Sequence, residues 1–126
     1  MAAGTVTVTE GAHGASVKKI VFAWVSGNAA EGGTASGTTT YDYDGEIIGL
    51  TTIPGLAGLA PTDDYDITIK DAAGHDVLLG AGANRDTLNT EHVTRASMAG
   101  VSASKLTFAV AAAGDDNAGT AIIYVR

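Results

Sequence analysis

The sequence predicts an all-β domain, an antiparallel β-sandwich or jelly-roll-like barrel of about eight short strands with little helix. Three observations predict it. Apolar residues recur with period two in several runs, and no segment sustains the 3.6-residue period of an amphipathic helix. Clusters bearing glycine, aspartate and proline punctuate those runs at short intervals. Finally, 45% of the 126 residues are hydrophobic and only 17% are charged, which suits a packed core and not a disordered chain. The 17 glycines are about twice the average share of roughly 7%, so the chain is apolar on average yet built largely from small residues.

Thr5-Val6-Thr7-Val8-Thr9 alternates as a half-buried strand should. It lies within residues 1–16, read as an N-terminal arm or edge strand separate from a single β domain over 17–126. Ile20 to Val25 and Ala121 to Val125 are apolar on both faces, the pattern of central strands or of strands at an interface. Thr38 to Asp44 is a more polar candidate, with Tyr41 and Tyr43 expected on its inner face. Glu46 to Ile53 and Asp76 to Leu79 are also read as strands. Tyr65 to Lys70 puts Tyr65, Ile67 and Ile69 on one face, and Lys105 to Val110 does the same with Leu106, Phe108 and Val110.

The connections carry turn chemistry. Asp71-Ala72-Ala73-Gly74 predicts a hairpin loop with Gly74 at positive φ. Gly114 to Gly119 is expected to join the last two strands in the same way. Ala29 to Thr40 reads as an excursion of small polar residues. Gly80 to Ser104 fits neither template. Asp86 there is placed to cap a short helix reaching Arg95, and the stretch is otherwise a strand or an arm ordered by a partner.

Charge and composition remove several classes. A net charge of −7 with no Lys/Arg stripe gives nothing to neutralise phosphates, so no nucleic acid partner is expected. No apolar run approaches the roughly 20 residues of a membrane span, and no basic cluster suits a membrane surface. The start lacks the basic and apolar regions of a secretory signal. Without cysteine there are no disulfides, thiolate zinc sites or cysteine nucleophiles.

The remaining motifs read as structural. Gly80-Ala81-Gly82 follows an apolar run as in a dinucleotide site, but no long helix follows and Arg85 takes the place of the third glycine. Asp42, Asp44 and Glu46 alternate, and Asp63, Asp64 and Asp66 cluster. Solvated acidic faces explain both groups better than calcium. His13, His75 and His92 show no ligand spacing, and no serine stands in a nucleophile elbow. No catalytic residue, metal ligand or cofactor is therefore assigned, and an enzyme is not expected. Trp24, alternating with Phe22, reads as core and not as a sugar-stacking platform.

Several segments together carry a resemblance. They are Val17 to Trp24, Tyr43 to Ile48, Ala60 to Ile69, Asp71 to Leu78, Gly80 to Arg85 with Thr90-Glu91, and Ile122 to Arg126. Over this span the chain resembles a family of small virion proteins of tailed bacteriophages. The resemblance implies a structural component of the particle, and a small, acidic, cysteine-free, mostly β domain fits the capsid decoration (cement) type among such components. Such a protein is made in the host cytoplasm and held on the outer surface of the head. Its partners would be the major capsid protein and further copies of itself, in a homotrimer or another symmetric oligomer. Thr5, Val6, Thr7, Val8, Asn84, Arg85, Leu88 and Met98 are the interface residues this reading selects. A tail, neck or fibre-associated station is the alternative within the particle. A carbohydrate- or calcium-binding sandwich module is the alternative outside it.

Overall fold

The computed structural model describes residues 3–11, 16–28, 33–94 and 98–126. Nine strands lie among them: β1 (Thr5–Thr9), β2 (Lys18–Val25), β3 (Ala35–Thr38), β4 (Tyr43–Pro54), β5 (Asp66–Lys70), β6 (Glu91–Thr94), β7 (Gly100–Ser104), β8 (Thr107–Ala111) and β9 (Ala118–Val125). A single 3-10 turn, Ala57–Leu59, is the helical content of the described residues. The chain is an all-β sandwich-like fold, as the alternating pattern predicts.

The larger sheet has six antiparallel strands in the order β1-β2-β9-β4-β6, and β7 pairs the first part of β4. The smaller has the order β3-β8-β5. Both runs that are apolar on two faces, β2 and β9, have a neighbour on each side. The core lies between the sheets. Ile20, Phe22 and Trp24 of β2 and Ala121, Ile123 and Val125 of β9 are buried, as are Ile67, Ile69, Phe108 and Val110 of the smaller sheet. Phe22 stacks on Phe108 with ring centroids 5.0 Å apart, and Trp24 meets Tyr65 at 5.6 Å. Each such burial contributes roughly 1.5–3 kcal/mol against exposure.

Two glycines set the spacing of this core. A Cβ on Gly119 would lie 2.5 Å from the Trp24 ring, so β9 is bare where the indole crosses it. A Cβ on Gly37 would lie 2.9 Å from Cβ of Val6, where β3 of one sheet abuts β1 of the other. The Thr5–Thr9 segment is therefore built into the sandwich. It pairs antiparallel with β2 from Thr5↔Val25 to Thr9↔Val21, and Val6 and Val8 pack on the core.

Several expectations are corrected. Thr38 to Asp44 is not one strand: β3 ends at Thr38, and a bend at residues 40–41 precedes β4. Tyr43 is buried while Tyr41 is exposed, because only Tyr43 lies in a strand. Ala29 to Thr40 contains β3; residues 29–32 lie outside the described set. Asp76 to Leu79 forms turns instead of a strand, because its aspartate caps nearby amides. Gly80 to Ser104 holds β6 and β7 and no helix among its described residues; Asp86 caps a turn, and Arg95 lies outside them. The Gly114–Gly119 link is no hairpin, since β8 and β9 belong to different sheets and the link carries the chain between them. The Asp71–Gly74 turn is as expected, with Gly74 at φ 84° and its N–H donating to Asp71 O.

Candidate functional site

The interface residues chosen from the sequence fall in separate places. Thr5, Val6, Thr7 and Val8 lie on β1, the edge of the larger sheet. Asn84, Arg85 and Leu88 lie on the loop between β5 and β6. Met98 is buried and so belongs to the core side of the molecule. Register separates the two groups: β1 is at one end of the strand order, and the Asn84–Leu88 loop lies beyond β5 in the other sheet.

The second group forms part of a distinct feature. Loop 55–64 leaves the end of β4, and loop 83–90 leads into β6 at the same end of the sandwich. Thr87 fastens them together, its hydroxyl donating to Pro61 O and its N–H to Asp63 at 3.2 Å. Arg85 N–H donates to Tyr65 O at 2.8 Å and Asp64 N–H to Arg85 O at 3.0 Å, which adds an irregular rung. Asp86 accepts the N–H groups of Leu88 and Asn89 and the Asn89 side-chain amide. These bonds, the Leu88 N–H foremost, hold the Asp86 carboxyl below the usual carboxylate range.

On this braced framework three leucines face solvent. Leu56 is 85% exposed, Leu59 53% and Leu88 77%. Exposed single apolar side chains are ordinary; these three stand on two loops that Thr87 joins by hydrogen bonds to Pro61 and Asp63. The neighbouring loop is ordered too. The buried Ser26 hydroxyl donates to Gly114 O and accepts from Asn117 N–H at 3.0 Å, and Asn117 Nδ2 donates to Ala113 O at 2.6 Å.

Comparison with family models, with curated proteins and with solved structures found no match.

Other polar groups are absorbed by the fold. Among the described residues no three His, Asp or Glu side chains converge as metal ligands would. Asp44 accepts Ala103 N–H, and Asp42 pairs with Lys105 at 3.6 Å. A register shift between Tyr43 and Gly45 interrupts the face on which Asp42, Asp44 and Glu46 were expected to align. The turn acids are caps: Asp71 accepts from Ala73 and His75, and Asp66 from Asn84. His92 Nδ1 lies 2.8 Å from the Thr51 hydroxyl across the β4–β6 pair, a contact no local motif announces. Trp24, Tyr43 and Tyr65 are all buried, so none offers a free ring for stacking a sugar. Burial pushes the Tyr65 phenol up to about 12, although the Thr52 hydroxyl beside it acts in the opposite direction. That pair of oxygens falls short of hydrogen-bond geometry.

Proposed function

We propose that this chain is a structural component of a tailed-phage virion, a decoration protein bound to the outer surface of the head. In this reading it works by binding and not by catalysis, as a symmetric oligomer that braces the major capsid protein. The observation that carries the binding role is the exposure of three leucines, Leu56, Leu59 and Leu88, on two loops that Thr87 ties together through Pro61 and Asp63. The resemblance of Val17–Arg126 to small virion proteins supplies the particle. The acidic surface agrees with a component that must not adhere to packaged or released DNA.

The reading makes a quantitative demand. Leu88→Asp removes an apolar contact worth about 1.5–3 kcal/mol, and so weakens attachment to particles by roughly ten- to a hundredfold. The domain itself stays folded, because Leu88 is 77% exposed in the monomer. Purified particles should contain the wild-type chain in constant ratio to the capsid subunit, on the order of one copy per subunit. A handful of copies per particle would move the chain to the tail or neck. Its absence from purified particles would end the virion reading.

A further inference from the structure

Charge is divided unevenly between the two ends of the sandwich. Val25 pairs with Ala118, Pro54 with Gly119, Thr52 with Glu91 and Asp66 with Ala111, so the ends of β2, β4 and β8 lie together with the starts of β5, β6 and β9. The loops of the two sheets are joined there, as by Thr62 N–H donating to Ala113 O at 2.9 Å. Asp63 and Asp64 stand exposed in one of these loops and Asp115 and Asp116 in another, and Asp86 lies half-buried in a third. Asp66 and Glu91 open β5 and β6 at the same end. Among the described residues, Arg85 is the one base here; its side chain is 16% exposed and pairs with Glu91 at 3.6 Å. The opposite end carries Lys18, Lys19, Lys70, Lys105 and Arg126, set among Glu10, Asp42, Asp44, Glu46, Asp71 and Asp76. That end is nearly balanced, whereas the loop end sets seven acids against one base; Glu31 and Arg95 lie outside the described residues.

The acidic end is also the end at which Leu56, Leu59 and Leu88 face solvent. Hydrogen bonding leaves the charge of its acids in place, because the donors are neutral. Asp63 accepts Thr87 N–H, Asp86 the N–H groups of Leu88 and Asn89, and Asp116 the Asn28 amide at 3.2 Å. We infer that this end docks on a cationic protein surface, one that presents apolar side chains flanked by Lys or Arg. The inference rests on the leucine reading above and names the chemistry of the partner. Charge selects that occupant. A partner without cations would cover carboxylates around the leucines with no compensation for their lost water, and a nucleic acid would be repelled. A metal ion alone needs carboxylates that converge, and among the described residues no three do. The two features act on different steps. A field of one sign raises the rate of association with an opposite surface, while burial of leucine slows dissociation. The balanced far end exerts no such pull, so the molecule arrives loops first.

The probe is a short synthetic peptide of Lys with interspersed Leu, titrated into the full chain at low and at high salt. NMR of the isotope-labelled chain should place its contacts in residues 55–64, 83–90 and 112–117. Asp115→Asn with Asp116→Asn should lower affinity about three- to tenfold, mainly through the association rate, and raised salt should act in the same direction. Asp42→Asn with Glu46→Gln removes equal charge from the far end and should change affinity by less than about twofold. Leu88→Asp separates the two features, since it adds an acid and yet should weaken binding through faster dissociation. Contacts spread over the whole surface, equal losses from the two charge-matched pairs, or tighter binding by Leu88→Asp would each overturn the inference. So would calcium binding that Asp115→Asn with Asp116→Asn abolishes, which gives the acids to a metal. Self-association lost in that same variant would make a second copy the occupant and overturn it too. Particles separate this inference from the reading beneath it. Attachment that Leu88→Asp weakens, but that salt and the loss of Asp115 and Asp116 leave unchanged, would overturn the cationic partner alone. Peptide binding confined to the loop end, by a chain absent from purified particles, would end the virion reading alone.

Discussion

Glu10 holds the bend between β3 and β4 through three hydrogen bonds. Its carboxylate accepts the N–H groups of Thr40 and Tyr41 at 2.9 and 3.1 Å and the Tyr43 hydroxyl at 2.9 Å. Partial burial raises its pKa, but these bonds outweigh that and leave it lowered. The Tyr43 phenol is pushed well up by burial and by the same carboxylate. Two pH effects follow from the signs. A lowered carboxyl stabilises the fold above its unfolded pKa, so the Glu10 contribution is lost as pH falls below about 4. A raised phenol favours the fold while protonated, so stability declines as pH rises past about 10, the unfolded tyrosine value. Thermal melts against pH should therefore show a plateau with two shoulders, and Glu10→Gln should reduce the acid one. An acid limb unaltered in that variant would count against the assignment. Little of this was legible in the sequence. Alternation placed Tyr43 inside and put Tyr41 beside it, but nothing local showed that a glutamate some thirty residues upstream turns the chain between them.

At the scale of elements, the alternating strands were readable and the strap beside β5 was not. Residues 76–85 lie along that strand edge without forming a regular ladder. Val77 N–H donates to Ile69 O at 2.8 Å, and Ile67 N–H to Gly82 O at 2.9 Å. Asp76 organises the strap, accepting from Ile69 N–H at 3.2 Å and from Leu78 and Gly80 N–H at 3.1 Å each. The apolar run Val77-Leu78-Leu79 looks like a strand because Val77 and Leu78 are buried, yet Leu79 turns outward at φ 51°. Gly82 owes its identity to contact and not to a ligand, since a Cβ there would lie 2.3 Å from Ile67 O. Asp76→Ala strands three amides and should cost about 1–2 kcal/mol. Hydrogen exchange should then quicken at Ile69, Leu78 and Gly80 before it does in β2 or β9. Uniform quickening throughout the molecule would show that the strap is no separate unit.

Taken whole, the molecule closes a sandwich along a side where its first strand meets its third. Val6 against Gly37 is the contact that ties the N-terminal segment to the core, so that of the two readings its sequence allowed, arm or edge strand, residues 5–9 form the edge strand. Removing residues 1–9 uncovers β2 and withdraws Val6 and Val8, a loss of several kcal/mol by burial alone. The expected result is a markedly lower denaturation midpoint and a chain prone to associate through the bared edge of β2. A midpoint equal to that of the full chain would restore the detachable-arm view. The all-β class was legible because period two and turn residues are local signals. The partnership of strands was not, because β8 and β9 adjoin in sequence and yet occupy different sheets.

The position of β9 between β2 and β4 also bears on how the protein is made. Ribosomes deliver strands in order, yet the large sheet cannot close until Ala118–Val125 has been synthesised. Until then β2 and β4 lack the strand that joins them, and their apolar faces wait open. Folding of the large sheet is thus deferred until β9 has been made and depends on contacts distant in sequence, which makes it slow and exposed to aggregation. Cleavage before residue 118 should leave an insoluble chain instead of a smaller domain.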